Sequence, residues 1–127
     1  MSDYRLLVTG SRTWADVELL CAALRQHLIE QVHEVLDRRI VLVVGDCPTG
    51  ADAIATDWAH QLGIPVEMHG AFWRDYGRGA GPRRNQAMVD SGVDWCIAFV
   101  AGDSRGTRDC IRRAKAAGVT VTEVVAS

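Results

Sequence analysis

The sequence predicts an α/β domain: a parallel five-stranded sheet with helices on both faces, a single Rossmann-like domain over residues 1–127. Three observations lead there. Five short β-rich runs alternate with helical patterns, the spacing of successive strand–helix–strand units. The second run, Ile40 to Val44, is apolar throughout, as in a strand buried on both faces of a parallel sheet. The segments that follow the strands are rich in Gly, Ser, Thr and Arg, whereas DRR, QLGIP and DSGVD at the opposite ends read as plain connections.

The first strand is Tyr4 to Val8, ending in TGSR. A helix is expected from Asp16 to Arg38, with Asp16 as N-cap. Val17, Leu20, Leu24, Leu28, Val32 and Val35 recur in it at spacings of three and four, one apolar stripe. After Ile40–Val44 comes a helix from Ala51 to Leu62, stopped by Gly63 and Pro65. The third strand is Val66 to His69. GAFWRDYGRGAGP then reads as irregular, and a short helix spans Pro82 to Asp90, with Pro82 in its first turn. The fourth strand is Trp95 to Val100, followed by the loop AGDSRGT. A helix from Thr107 to Ala117 ends at Gly118, and Val119 to Val125 is the last strand.

Bulk composition limits the function classes. The chain has 127 residues, 48% hydrophobic and 24% charged, enough for one core and far from a disordered composition. Its formal net charge of -2 carries no basic excess, so nucleic acid is not the expected partner. MSDYRLLVTG lacks the pattern of a signal peptide, and no apolar run reaches bilayer length. Cys21, Cys47, Cys96 and Cys110 are scattered and the four His lack ligand spacing. A reduced cytoplasmic protein with no membrane association, no metal and no cofactor is expected.

In open parallel sheets, ligands bind beyond the C-terminal strand ends. The candidate site is therefore built from residues 9–14, 45–52, 69–85 and 101–107. GDCPTGAD has the glycine spacing of a phosphate-binding loop, Gly45 and Gly50, but Ala51 and Asp52 replace the Lys and Ser/Thr that hold phosphate and Mg²⁺. Asp52 suits ribose hydroxyls better than phosphate. Gly10 and Gly45 permit close backbone approach or simply make tight turns. Thr9, Ser11, Ser104 and Thr107 offer hydroxyls, and Ser11 and Thr107 read equally as helix caps. Arg12, Arg83 and Arg84 can grip phosphate, although Arg83 and Arg84 also fit a solvated helix face. Trp73 and Tyr76 can stack on a base or plug an edge. Trp14, Trp58 and Trp95 read as packing.

The ordered set VTGSRTW, VVGDCPTGADAIATDWA, GAFWRDYGRGAGPRRNQAM and DWCIAFVAGDSRGTRDCIRRA resembles the SLOG superfamily in its YspA/cpYpsA-related branch, over residues 5 to 122. Members are frequent in bacteria and phages, and relatives include the Lonely guy phosphoribohydrolases and DprA. The resemblance implies a Rossmann-like fold that binds a nucleotide or nucleotide-derived small molecule. GPRRNQAM aligns Arg84 with the Arg of the phosphoribohydrolase M-x-x-R-K-x-x-M pattern and Met88 with its last Met. SRGTRDC matches their GT pair at Gly106 and Thr107, while Cys110 stands at the position of their catalytic Glu. The implied site rests a phosphate on Gly102, Ser104, Gly106 and Thr107 with Arg84 and Arg12. Thr9 to Ser11 and Gly50 to Asp52 lie along the ribose, Trp73 and Tyr76 cover the base, and Gly45, Arg83 and Asn85 are further ligand-binding residues. A hydrolytic version adds base–ribose cleavage with Arg84 and either Asp109 or Asp52 as catalytic residues. A DprA-like single-strand binder is the third reading. Relatives often pair, so a homo-oligomer is expected, with the 16–38 helix as one candidate interface.

Overall fold

Strands form where apolar side chains must be buried on two faces at once. In β1 (Tyr4–Gly10), Leu6 and Val8 point to one face and Leu7 to the other, and all three are buried. β2 (Ile40–Gly45) and β4 (Trp95–Val100) repeat this double burial on either side of β1. β3 (Val66–His69) and β5 (Val121–Val125) form the edges and are only partly buried. All pairings are parallel, in the order β3-β2-β1-β4-β5, with Leu6 level with Leu42 on one side and Trp95 on the other. These features come from a computed structural model that describes residues 2–126.

Helices α1 (Val17–Glu30) and α3 (Gly50–Gln61) cover one face. Leu20 and Leu24 of α1 meet Leu6, Val8, Leu42 and Phe99 there, and Trp14 packs edge-on against Phe99 with ring centroids 5.3 Å apart. Ala51, Ala55 and Ala59, four apart along α3 and fully buried, let that helix lie close to the sheet. Helices α5 (Ala80–Asp90) and α6 (Arg105–Ala116) cover the other face through Met88, Val89, Cys110 and Ala114 against Leu7, Val43 and Cys96. Trp14 and Trp58 are buried packing residues and Trp95 packs on His27, as the sequence suggested.

Several boundaries differ from the sequence reading. The first long helix is not continuous to Arg38. It ends at Glu30, and a separate turn, α2 (Val32–Val35), follows. The reason is length: 14 residues rise about 21 Å, the span of a six-residue strand. Beyond that the stripe is only partly used: Val35 still packs against the core, while Val32 and the neighbouring Leu36 are exposed. The GAFWRDYGRGAGP stretch is not wholly irregular. It holds a short helix, α4 (Trp73–Tyr76), and a 3₁₀ turn, Gly77–Gly79, and α5 begins two residues before Pro82. Helix α6 likewise begins at Arg105 rather than Thr107, and β5 at Val121 rather than Val119. Asp16 caps α1 as expected, its carboxylate accepting the Leu19 N–H at 3.0 Å.

Candidate functional site

Chain order reverses across β1. The chain steps from β1 outward to β2 and β3, then crosses back to β4 on the other side. Loops leaving β1 and β4 therefore diverge, and a crevice opens between them. A cavity of about 1220 Å³ lies there, walled by the segments after β1, β2 and β4 and by the start of α5.

The loop after β2 explains its unusual sequence. Gly50 has φ +72, and a Cβ on it would strike the Ser11 carbonyl. A Cβ on Gly10 would meet the Ala51 side chain. The Ala51 N–H donates to the Ser11 carbonyl at 3.1 Å, and the Thr49 hydroxyl donates to the Arg12 carbonyl at 3.1 Å. The β1 loop thus occupies the N-terminus of α3, where a phosphate-binding loop would offer free N–H groups. Gly10 closes this loop–helix contact while still lining the cavity. Gly50 and Ala51 serve the contact alone, and neither reaches the cavity wall.

Asp52 lines the cavity wall but is nearly buried in it. It is 7% exposed and its Oδ2 accepts the Cys47 N–H at 3.3 Å. Burial pushes its carboxyl up to about 6, against the pull of Arg84. Gly45 is glycine because two charged groups meet above it: a Cβ there would lie 2.5 Å from Arg84 Nη1 and 2.8 Å from Asp52 Oδ2.

Arg84 is already engaged. Its Nε donates to Asn85 Oδ1 at 3.0 Å and its Nη1 to Asp46 Oδ1 at 3.3 Å. Asn85, 3% exposed, donates through Nδ2 to the Gly106 carbonyl at 3.1 Å and to Asp109 Oδ2 at 3.0 Å, which ties α5 to α6. Asp109 lies on the cavity wall and also accepts Arg113 Nε at 2.8 Å and Arg112 Nη2 at 2.7 Å. Burial would raise its carboxyl, but the hydrogen bonds from Arg113 and Asn85 outweigh that and hold it below the ordinary range. Cys110, one position on, faces the sheet and is fully buried beside Cys96 and Ala114. One residue step is about 100° of helix rotation, enough to move a side chain from cavity to core.

The N-terminus of α6 is the open one. The Ser104 hydroxyl donates to the Ala101 carbonyl at 2.9 Å instead of capping the helix. Among the described residues, the N–H groups of Arg105, Gly106 and Thr107 have no backbone acceptor. Thr107 is 4% exposed and lines the cavity. Thr9, Ser11, Gly102 and Ser104 share the wall, and Met88 closes its floor. Arg12, Arg78, Arg105 and Arg108 line the cavity without an ion-pair partner among the described residues, whereas Arg84 and Arg112 are paired.

The aromatic expectation divides. Trp73 lines the cavity, with the Arg12 guanidinium 6.0 Å from its ring. Tyr76 does not line it; Arg83 stacks on Tyr76 at 4.3 Å, and both lie off the wall. Sequence reasoning missed Asp46, Arg78, Arg105, Arg108 and Arg112. Asp46 follows β2 directly, and 105, 108 and 112 are spaced to share a helix face, so both signals were present. Among the described residues, no group of three His, Cys, Asp or Glu could hold a metal, and no helix is long and apolar enough to cross a membrane.

A doubly wound parallel sheet with a polar, arginine-lined cavity at its switch point defines a Rossmann-like α/β fold. The chain belongs to the YspA, cpYpsA-related SLOG family, YAcAr, whose family model matches residues 4–76. It is also 41% identical over 122 residues to the Gene 61 protein of Mycobacterium phage D29, covering 92% of this chain and 93% of that one. The family model takes in the TGSR and GDCPTGAD loops. The α5 and α6 portions of the site lie beyond it, within the length aligned to the phage protein.

Proposed function

We propose that this chain binds a nucleotide or nucleotide-derived small molecule in the cavity at the C-terminal edge of the sheet. The observation that carries this reading is the open N-terminus of α6. Unclaimed N–H groups, the nearly buried Thr107 hydroxyl and unpaired arginines converge on one cavity wall. A phosphate group satisfies all three. Trp73 offers an apolar face for the base at the mouth.

Binding without turnover is the favoured form. Hydrolysis of a base–ribose bond needs a carboxylate free to stabilise an oxocarbenium-like centre or to activate water. Both oxygens of Asp109 are held by Asn85, Arg112 and Arg113, and Asp52, though on the cavity wall, is nearly buried and bonded to the Cys47 N–H. Single-stranded nucleic acid is not favoured. Asp46, Asp52, Asp103 and Asp109 interrupt the arginines around the cavity, where a strand-binding channel would be uniformly basic. The proposed setting is the cytoplasm, and the proposed assembly is a homo-oligomer. Incubation with nucleoside 5′-monophosphates, NAD and ADP-ribose, read by thermal shift and mass spectrometry, tests the reading. A thermal shift with intact ligand supports a sensor; release of free base makes the protein an N-glycosidase.

A further inference from the structure

Carboxylates and arginines are interspersed around the cavity, Asp103 and the arginine-bound Asp109 on the α6 side and Arg12 after β1, but its two sides differ in which groups are left free. On the α6 side are the open helix N-terminus, Thr107 and the unpaired Arg105 and Arg108. On the β2 side the acceptor is Asp46, the first residue past the strand, beside β1. Its Oδ1 accepts Arg84 Nη1 at 3.3 Å, and its Oδ2 accepts nothing among the described residues. The carboxylate is 41% exposed and lines the cavity. Asp52 is the opposite case, buried and bonded to its own loop. Arg84, held by Asn85 and Asp46, is positioned to fix this carboxylate rather than to grip an anion.

A ligand that spans both ends must present an anion to α6 and hydrogen-bond donors to Asp46. A ribose 5′-phosphate does this, with its phosphate at one end and its vicinal hydroxyls at the other. An acidic side chain at the end of the second strand is also where Rossmann-like sheets hold ribose hydroxyls. We infer that Asp46 is the sugar-reading residue of this site and selects ribonucleotides over 2′-deoxyribonucleotides. The inference rests on the nucleotide-binding reading above and adds the discriminating residue and the sugar class.

The test is a calorimetric titration of the full chain with the four ribonucleoside 5′-monophosphates and their 2′-deoxy counterparts. It is repeated on Asp46→Ala and Arg108→Ala. The expected result is that the bound ribonucleotide exceeds its deoxy form by roughly tenfold to a hundredfold, the range for a hydrogen bond to a charged group. Asp46→Ala brings the two within about threefold, because the missing acceptor no longer distinguishes them. Arg108→Ala weakens both alike and keeps their ratio. Equal binding of ribo and deoxy forms by the unmodified protein overturns the Asp46 assignment and leaves nucleotide binding standing. So does a ratio unchanged in Asp46→Ala. Binding of none of the eight compounds overturns both.

Discussion

Gly45 and Asp52 make opposing demands within one turn. Gly45 leaves room for the Arg84 guanidinium, and any side chain there must displace it or the Asp52 carboxylate. Gly45→Ala is expected to lower stability by about 1–3 kcal/mol and to weaken nucleotide binding, read by denaturant unfolding and titration. Asp52 is ionised at neutral pH at a cost, since burial raises its folded-state value to about 6 from an ordinary 3.8. The folded state therefore holds the proton more tightly than the unfolded state between those values. Its ionisation penalty is full above pH 6 and fades as pH falls toward 4. Asp52→Asn should accordingly stabilise the protein by about 2 kcal/mol at pH 8 and by little at pH 4. Equal stabilisation at both pH values would show that the carboxylate is not strained in the native loop. The missing Lys and Ser/Thr after Gly50 were readable from sequence, and they correctly argued against a triphosphate loop. What they could not disclose was the partner of that helix end. Ser11 supplies it from 40 residues away, and no local pattern encodes that contact.

At the scale of elements, the strands and the buried helix faces were the most legible parts, because continuous apolar runs and three-four apolar spacing follow directly from which faces are covered. Leu20 and Leu24 show this, being fully buried against the sheet. The break after Glu30 was not legible, since the apolar stripe runs on through Val32 and Val35 and only the finite strand length limits its use. The early start of α6 was hidden in the same way. RGT reads as loop by composition, yet it forms the first turn that faces the cavity. Asn85 shows how elements are coupled at this edge, joining α5 to both the Gly106 carbonyl and Asp109. Asn85→Ala should cost about 1–3 kcal/mol by leaving the Gly106 carbonyl and the Asp109 carboxylate short of a donor. It should also reduce nucleotide affinity by loosening the α6 N-terminus. Urea unfolding and titration of the same variant separate the two effects: a stability loss with unchanged affinity would remove Asn85 from the site.

For the whole molecule, the cavity at the switch point follows from topology. Any chain that winds outward from a central strand and then back across it opens a crevice at the same edge. The sequence therefore marked the edge of the sheet at which the cavity opens before it could mark all the side chains that line it. Several apolar residues lie outside the core. Val17, Ile29, Val32 and Leu36 are each at least 45% exposed, on and after α1. If copies associate through this face, the pair Ile29→Glu and Leu36→Glu shifts the mass measured by light scattering from oligomer to monomer without unfolding the chain. An unchanged oligomer mass would place the interface elsewhere.

The most direct measurement is a calorimetric titration of nucleoside 5′-monophosphates into the unmodified protein and into Thr107→Val. The substitution keeps the shape of a nearly buried side chain while removing its hydroxyl from the cavity wall at the α6 N-terminus. Saturable binding to the unmodified protein, weakened about tenfold in Thr107→Val, is the expected result. No binding, or equal binding by both proteins, would contradict the assignment of this cavity wall as the phosphate seat.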